Sequence, residues 1–250
     1  MLVVGGYITT QKIGAEKPRN SGVFLRVIYV RVISISYYLV MKIFQENSTM
    51  VLAGSWNPAI LTPQWIAQTV FGLKAGESFP VEIDMIVANG AMQKMRFLGL
   101  SCVASSQFLI FFFDSQNTES CSVAVKSARK ILEVLSHTPV TGVGFNMQFL
   151  LSETKPEFLN RFQSIDLDDE VPGADVVSKG WSMKLNTVEN LISITSTYEG
   201  GSGRIEMNFH HSATTADEAR AYLADDNKCL EIFGVATAVA KKLSNEEMEA

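Results

Sequence analysis

The chain has 250 residues, of which 47% are hydrophobic and 19% are charged, and its formal net charge is −5. This composition supplies enough apolar side chains for a sizeable core and excludes a globally disordered protein. The negative total argues against a dedicated nucleic-acid-binding protein, because such a protein neutralises phosphates with clustered Lys and Arg.

Residues 1–40 differ in character from the rest and form an N-terminal extension. Residues 23–41 are rich in β-branched and aromatic side chains, but the uncharged run that begins at Val32 is too short to span a bilayer. Three interpretations stay open: a start codon assigned too far upstream, with Met41 as the true first residue; one or two extra strands; or a membrane-targeting segment. Residues 41–250 predict no membrane segment, and residues 244–250 are expected to be a disordered tail.

The first half of the remaining chain, residues 41–138, alternates strand and helix patterns. A strand is predicted at 50–56, followed by a short helix with Thr62 as its N-cap and Pro63 at its first position. Alternating or continuous apolar runs then predict three antiparallel strands, the first two joined by an Asn-Gly hairpin, at 79–87, 92–103 and 107–114. An apolar stripe with a spacing of three and four residues predicts a long helix at 119–136.

The second half, residues 139–243, has the same order of elements. After a strand at 140–152, the sequence predicts a short Pro-started helix at 155–162 and an acidic loop at 166–175. Three further strands are predicted at 181–187, 191–198 and 204–210. Thr215 and Glu218 form a capping box that opens a helix, and a last apolar stripe predicts a helix at 228–243.

The two halves therefore suggest an internal duplication. Corresponding features lie about 92 to 100 residues apart, as in the pairs Pro63 and Pro156, Val81 and Trp181, and Gln107 and Arg204. We predict an α+β fold of two β-α-β-β-β-α repeats that form a curved, mostly antiparallel sheet, with helices on one face and an open concave face. This element order resembles the TATA-box-binding-protein fold in architecture only, since fold does not imply function.

A second resemblance rests on the segment "HTPVTGVGFNMQF", which follows the long helix. Its Gly142, Gly144 and Asn146 are similar to the Gly-containing strand, ending in Asn, of a sporadically distributed bacterial family of about this length. The resemblance covers residues 41–243 loosely and implies no particular activity.

No pattern in the chain predicts a catalytic, cofactor-binding or metal-binding residue. The three cysteines, Cys102, Cys121 and Cys229, are widely spaced, so we expect buried, reduced thiols in a reducing cytosol. His210 and His211 adjoin on a strand and should point to opposite faces, so they cannot readily chelate one ion. The acidic loop lacks the spacing of a calcium-binding loop, and no nucleophile elbow is present.

A candidate binding surface comes from three basic residues. Lys94 and Arg96 share one face of a predicted strand, and Lys184 lies on a strand of the other half. If the halves form one sheet, these side chains could make a basic strip on the concave face that holds an acidic partner. Ordinary solubilising charge is the competing explanation.

These observations predict a non-catalytic interaction module of the bacterial cytosol. It would bind a protein partner, or self-associate, through a sheet face or a sheet edge. The alternative is a small-molecule-binding protein or an enzyme with a pocket between sheet and helices. The aromatic residues proposed to line such a pocket are Phe97, Phe108, Phe111, Phe113 and Trp181.

Overall fold

A computed structural model describes residues 42–43, 48–86, 92–113, 118–151, 158 and 178–244. The strands of this part are β1 (Lys42–Ile43), β2 (Thr49–Gly54), β3 (Glu82–Ile86), β4 (Met92–Phe97), β5 (Leu100–Ala104), β6 (Phe108–Phe112), β7 (Val140–Leu151), β8 (Ser178–Asn186), β9 (Leu191–Glu199) and β10 (Ser202–Ser212). The helices are α1 (Pro63–Thr69), α2 (Thr118–Val134), α3 (Ala216–Tyr222) and α4 (Lys228–Ser244). The protein is therefore α+β.

The strands form a single sheet in the order β3-β4-β5-β6-β2-β7-β10-β9-β8, and β1 pairs in addition with β7. Every described strand pair is antiparallel. The central pair joins β2 to β7, with Thr49 opposite Asn146 and Leu52 opposite Val143. Strands of the first half lie on the β2 side of this pair, and strands of the second half lie on the β7 side.

One face of the sheet carries the hydrophobic core. On β7 and β10, alternate side chains are buried against the helices, and these are Val143, Phe145, Met147, Phe149, Leu151, Ile205, Met207 and Phe209. They form one cluster with the apolar stripe of α2 (Ala124, Val125, Ala128, Ile131, Leu132) and with that of α4 (Cys229, Ile232, Ala236, Ala240). The four described helices therefore cover one face. The opposite face is called the open face below, although Lys94, Ser101 and Val103 at its β4–β5 end are buried.

Both predicted helix caps are confirmed. The Oγ1 of Thr62 accepts a hydrogen bond from the backbone N–H of Trp65 at 3.2 Å, and Pro63 occupies the first helical position. The backbone N–H of Glu218 donates to Oγ1 of Thr215 at 3.1 Å. The Glu218 carboxylate reaches one residue further back than a capping box requires, since it accepts from the backbone N–H of Thr214 at 2.7 Å.

The predicted single strand at 92–103 is wrong. It is a hairpin, in which β4 and β5 are joined by Leu98 and Gly99 with φ angles of 50° and 75°. Two successive positive φ angles give the tight turn that matches strand twist, but leucine rarely adopts this conformation, so "LG" is a weak sequence signal. The first half thus has four strands between α1 and α2, and its predicted β-α-β-β-β-α order becomes β-α-β-β-β-β-α.

Several predictions fall outside the described residues. These are the N-terminal extension, the Asn89-Gly90 turn, the acidic loop, residues 245–250 and most of the helix at 155–162. Within that last segment, Phe158 is helical and fully buried. Cys102, Cys121 and Cys229 are buried free thiols, as expected. Over the described ranges, no helix is both long enough and apolar enough to cross a membrane.

Candidate functional site

The open face presents a row of polar side chains across four neighbouring strands. Strand register places Thr49 of β2 opposite Asn146 of β7, and Asn146 opposite Asn208 of β10. Asn208 in turn lies opposite Ser193 of β9. Because side chains directly opposite each other in a sheet share a face, these four groups point to the same side as one another.

Hydrogen bonds connect the members of this row and of the next one. The amide Nδ2 of Asn208 donates to Oδ1 of Asn146 at 2.6 Å, and Nδ2 of Asn146 donates to Oγ1 of Thr49 at 3.0 Å. In the next row, Nε2 of Gln148 donates to Oε1 of Glu206 at 2.6 Å. The side chains are therefore held in fixed orientations, which lowers the entropy that a ligand must remove on binding.

These rows line a recess of about 540 Å³. Its lining consists of Thr49, Asn146, Met147, Gln148, Ser193, Thr195, Glu206, Met207 and Asn208. The side chains of Met147 and Met207 belong to the core on the other face, so the recess is lined mainly by amides and hydroxyls. Such a surface offers hydrogen-bond donors and acceptors together, and it suits a polar ligand better than an apolar one.

Two glycines make room beside the recess. Gly142 and Gly144 lie on the same face of β7 as Asn146, because side-chain direction alternates along a strand. A Cβ atom on Gly142 would lie 2.6 Å from Cε1 of His210 and 2.9 Å from the carbonyl oxygen of His211. Gly142 therefore permits the His210 ring to lie across the centre of the sheet on the open face.

The three basic residues nominated from the sequence lie on the open face but not together. Lys184 of β8 is opposite Ser193 and extends the polar row by one strand. Lys94 and Arg96 of β4 lie near the other end of the sheet, with six strands between β4 and β8. At about 4.8 Å per strand, this separation exceeds 30 Å, so the three side chains do not form a continuous strip.

The two residues on β4 also have local partners. Nη1 of Arg96 lies 3.1 Å from the Asp84 carboxylate and 3.9 Å from the Glu82 carboxylate, both on the neighbouring strand β3. The ammonium of Lys94 lies 4.1 Å from the centre of the Phe112 ring. These contacts reduce the attraction that this end of the sheet can offer to an acidic ligand.

The aromatic residues proposed for a pocket between sheet and helices are mostly packing residues. Phe97, Phe111 and Phe113 are buried in the core. Trp181 is half-buried and packs against the edge of that core, and Phe108 is half-buried on the open face. The described recess lies on the open face rather than between the sheet and the helices.

A second polar cluster fastens the β8–β9 turn to the helices. The His211 ring stacks on Tyr222 with 3.9 Å between ring centroids, and its Nδ1–H donates to the carbonyl oxygen of Glu189 at 2.7 Å. The ammonium of Lys228 lies 2.8 Å from the Glu189 carboxylate and 3.2 Å from that of Glu231. His210 and His211 thus point to opposite faces, as predicted.

The pKa shifts in this cluster follow from burial and pairing. Burial raises the pKa of Tyr222 to about 12. Burial alone would lower the pKa of Lys228, but hydrogen bonds to Glu189 and Glu231 outweigh it and raise that pKa. The hydrogen bond from Lys228 lowers the pKa of Glu189. At neutral pH the cluster therefore contains a cationic lysine, an anionic Glu189 and a neutral tyrosine. These charges favour a structural role, in which the Lys228–Glu189 ion pair holds the β8–β9 turn against α4.

Acid should weaken the fold through Glu189 and Glu218. The pKa of Glu218 is lowered by hydrogen bonds from the backbone and side chain of Thr214. Carboxylates with a lowered folded-state pKa stabilise the protein above the unfolded value of about 4.3, and this contribution is lost as the pH falls through the folded-state pKa. We expect the melting temperature of the Glu189→Gln/Glu218→Gln variant to fall less steeply with acidification than that of the wild type. Melting temperatures, measured by circular dichroism, that fall with pH at the same rate in both proteins would contradict this expectation.

Sequence reasoning missed the recess, although a signal was present. Asn146 and Gln148 occupy alternate positions of β7, and Glu206 and Asn208 occupy alternate positions of β10. Polar amides on the non-core positions of two long strands point to a shared polar face, but only the strand pairing brings them together. No known protein-family model and no curated protein matches the chain.

Proposed function

We propose that the protein is a non-catalytic interaction module that binds a polar segment of a protein partner on its open face. The observation that supports this proposal most strongly is the hydrogen-bonded row of Thr49, Asn146 and Asn208 at the floor of the recess. The three free thiols, Cys102, Cys121 and Cys229, fit a reducing compartment such as the bacterial cytosol.

The chemistry of the lining favours binding over catalysis. Glu206 is the one ionisable side chain among the lining residues, and it is already engaged by Gln148 at 2.6 Å and by Arg204 at 3.7 Å. General acid–base catalysis instead requires titratable groups that are free to exchange protons with a substrate. An extended peptide fits the lining well, because each peptide unit offers one donor and one acceptor.

The charges around the recess suggest which peptides bind. Arg204 lies two residues from Glu206 on β10, and Lys184 lies beyond Ser193 at the end of the polar row. Both basic side chains are exposed. A partner segment with a polar centre and an acidic residue near one end would pair with Lys184, because Arg204 is already engaged by Glu206, while its backbone meets the amides.

We further propose that the two halves of the sheet repeat one arrangement of strands, as an internal duplication would produce. In support, β6, β5 and β4 follow one another outward from β2, and β10, β9 and β8 do the same outward from β7. By this order β8 corresponds to β4, and β3 is an addition to the first half. An overlay of residues 49–134 on residues 140–244 in an experimental structure tests the duplication. Helices of the two halves that fall on different faces of the sheet would rule it out.

Selection from a random peptide library displayed on phage tests the binding proposal. Peptides enriched on the wild-type protein are measured by fluorescence polarisation against the Asn146→Ala/Asn208→Ala variant. We expect wild-type dissociation constants of about 10–100 µM and a loss of about tenfold or more in the variant, because the floor of the recess is removed. Enriched peptides should carry an acidic residue, and their affinity should fall in Lys184→Ala.

A matched control uses the opposite surface. Lys126→Ala/Glu133→Ala changes two exposed side chains of α2, a helix on the other side of the sheet, and should bind the peptides as the wild type does. Peptides that bind the recess variant with unchanged affinity would contradict the proposal. So would a selection that enriches nothing while a metabolite stabilises the protein in a thermal-shift screen, which would favour a small-molecule ligand.

A further inference from the structure

β8 is a long strand at the edge of the sheet, and its length, the side on which no described strand pairs with it and its exposed apolar side chains are typical of an interface. It pairs with β9 along its whole length, from Ser178 to Asn186, and it ends the strand order. Within the described residues no strand pairs with its other side. An unpaired edge of this length presents a row of backbone N–H and C=O groups that can accept another strand. Met183 and Leu185 on this strand are 41% and 40% exposed.

We infer that β8 is a self-association edge. Two copies of the chain pair their β8 strands antiparallel about a two-fold axis at Ser182, so that the sheet continues from one subunit into the other. This axis is the one that pairs all residues of Ser178–Asn186, since Ser182 is the midpoint of the strand. The contact is isologous and closes as a dimer.

Side-chain pairing on the helix-covered face supports a second copy of the chain as the partner that pairs with β8. In this register Trp181 faces Met183 of the second copy, and Met183 faces the second Trp181. Leu185 faces the aliphatic stem of the second Lys179. Trp181 is half-buried and Met183 is exposed in the single chain, so the pairing removes apolar surface from water on both subunits. Because the axis is two-fold, each of these contacts is made twice in the dimer.

Charge complementarity on the open face points the same way. Lys184 faces Gly180 of the second copy, which has no side chain to obstruct it. Glu199 of β9 lies opposite Ser178, diagonally beyond that glycine, and it is exposed. From strand spacing, the two Cα atoms are about 12 Å apart, a distance that extended Lys and Glu side chains can bridge when no acidic peptide residue is bound at Lys184. The register also avoids a direct Lys–Lys pair, which would weaken the edge.

Sedimentation velocity of the full-length protein tests the inference. Over about 1 to 200 µM, we expect a reversible monomer–dimer equilibrium with a dissociation constant of about 10 µM, because the strand contact is small. Ser182→Lys and Ser182→Glu each place two like charges opposite one another on the axis, and each variant alone should be monomeric. An equimolar mixture of the two should dimerise again, a result that a merely misfolded variant cannot give.

Two controls separate this edge from other contacts. Gln93→Lys adds the same charge at an exposed position of β4 and should leave the dimer unchanged. Ser182→Cys brings two thiols together at the axis, so mild oxidation with diamide should give a covalent dimer on a non-reducing gel. Ser178→Cys, opposite Asn186 of the second copy, should not. A wild type that stays monomeric, or a Ser182→Lys variant that dimerises as the wild type does, would overturn the inference.

Discussion

Phe145→Ala should lower the free energy of unfolding by about 3–5 kcal/mol, because it removes a large side chain from the centre of the core. Phe145 is fully buried on β7, between Met50 of β2 and Phe209 of β10, and its ring centroid lies 6.5 Å from that of Tyr222. A cavity at this point weakens the contact of the sheet with α3. Urea denaturation followed by tryptophan fluorescence measures the change, which is a large share of the ~5–15 kcal/mol typical of folded domains.

A matched comparison distinguishes the two faces of the sheet. Phe108 lies on β6 on the open face and is half-buried, so Phe108→Ala leaves no enclosed cavity and should cost less than half as much as Phe145→Ala. Equal losses for the two variants would mean that the core does not lie on the helix-covered side as described.

Gly54→Val should cost about 3 kcal/mol, because the obstruction it meets is backbone rather than a movable side chain. Gly54 lies at a bulge where the register between β2 and β7 shifts, after Ala53 opposite Gly142. A Cβ at Gly54 would overlap the carbonyl oxygen of Pro139 and lie 3.1 Å from Cα of Val140. The start of β7 would have to move. That movement should also weaken the hydrogen bond from Ser55 N–H to Pro139, which is 2.8 Å long.

Gly234→Ala provides the opposite control. Gly234 is in the interior of α4, and among the described residues no atom outside its chain neighbours and the local helix backbone lies within 4 Å of the Cβ that alanine would add. Alanine is the better helix former, so this variant should be more stable than the wild type by about 0.5–1 kcal/mol. Thermal or urea unfolding of both glycine variants tests the pair, and a neutral Gly54→Val variant would show that the two strands do not approach this closely.

The elements that the sequence predicts well are those set by nearby residues. The apolar stripe of α2, the cap at Thr62 and the alternation of Ile205, Met207 and Phe209 each depend on contacts or periods of a few positions. The Leu98-Gly99 turn was missed because a leucine with positive φ is held by the two strands it joins rather than favoured by its own sequence.

The candidate site was less accessible, because it is assembled from distant parts of the chain. Asn146 and Asn208 meet across 62 positions, and Asn146 and Thr49 across 97. Alternation alone indicates which face such residues occupy, but the distance between two of them depends on strand order. That is why Lys94 and Lys184 could be assigned to strands from the sequence, whereas their separation across the sheet could not.

The central pairing of β2 with β7 has a consequence for how the chain is made. During synthesis, β2 emerges from the ribosome long before β7. Thr49 of β2 is made 97 residues before Asn146, the residue it pairs with in β7. Until β7 is made, β2 is the unpaired edge of the first-half sheet β3-β4-β5-β6-β2, and its backbone groups can pair with an unrelated nascent chain. Contacts between residues so far apart in the sequence also slow folding. Completion of the sheet is therefore an event of late translation, and a chain truncated before residue 140 would be prone to aggregate.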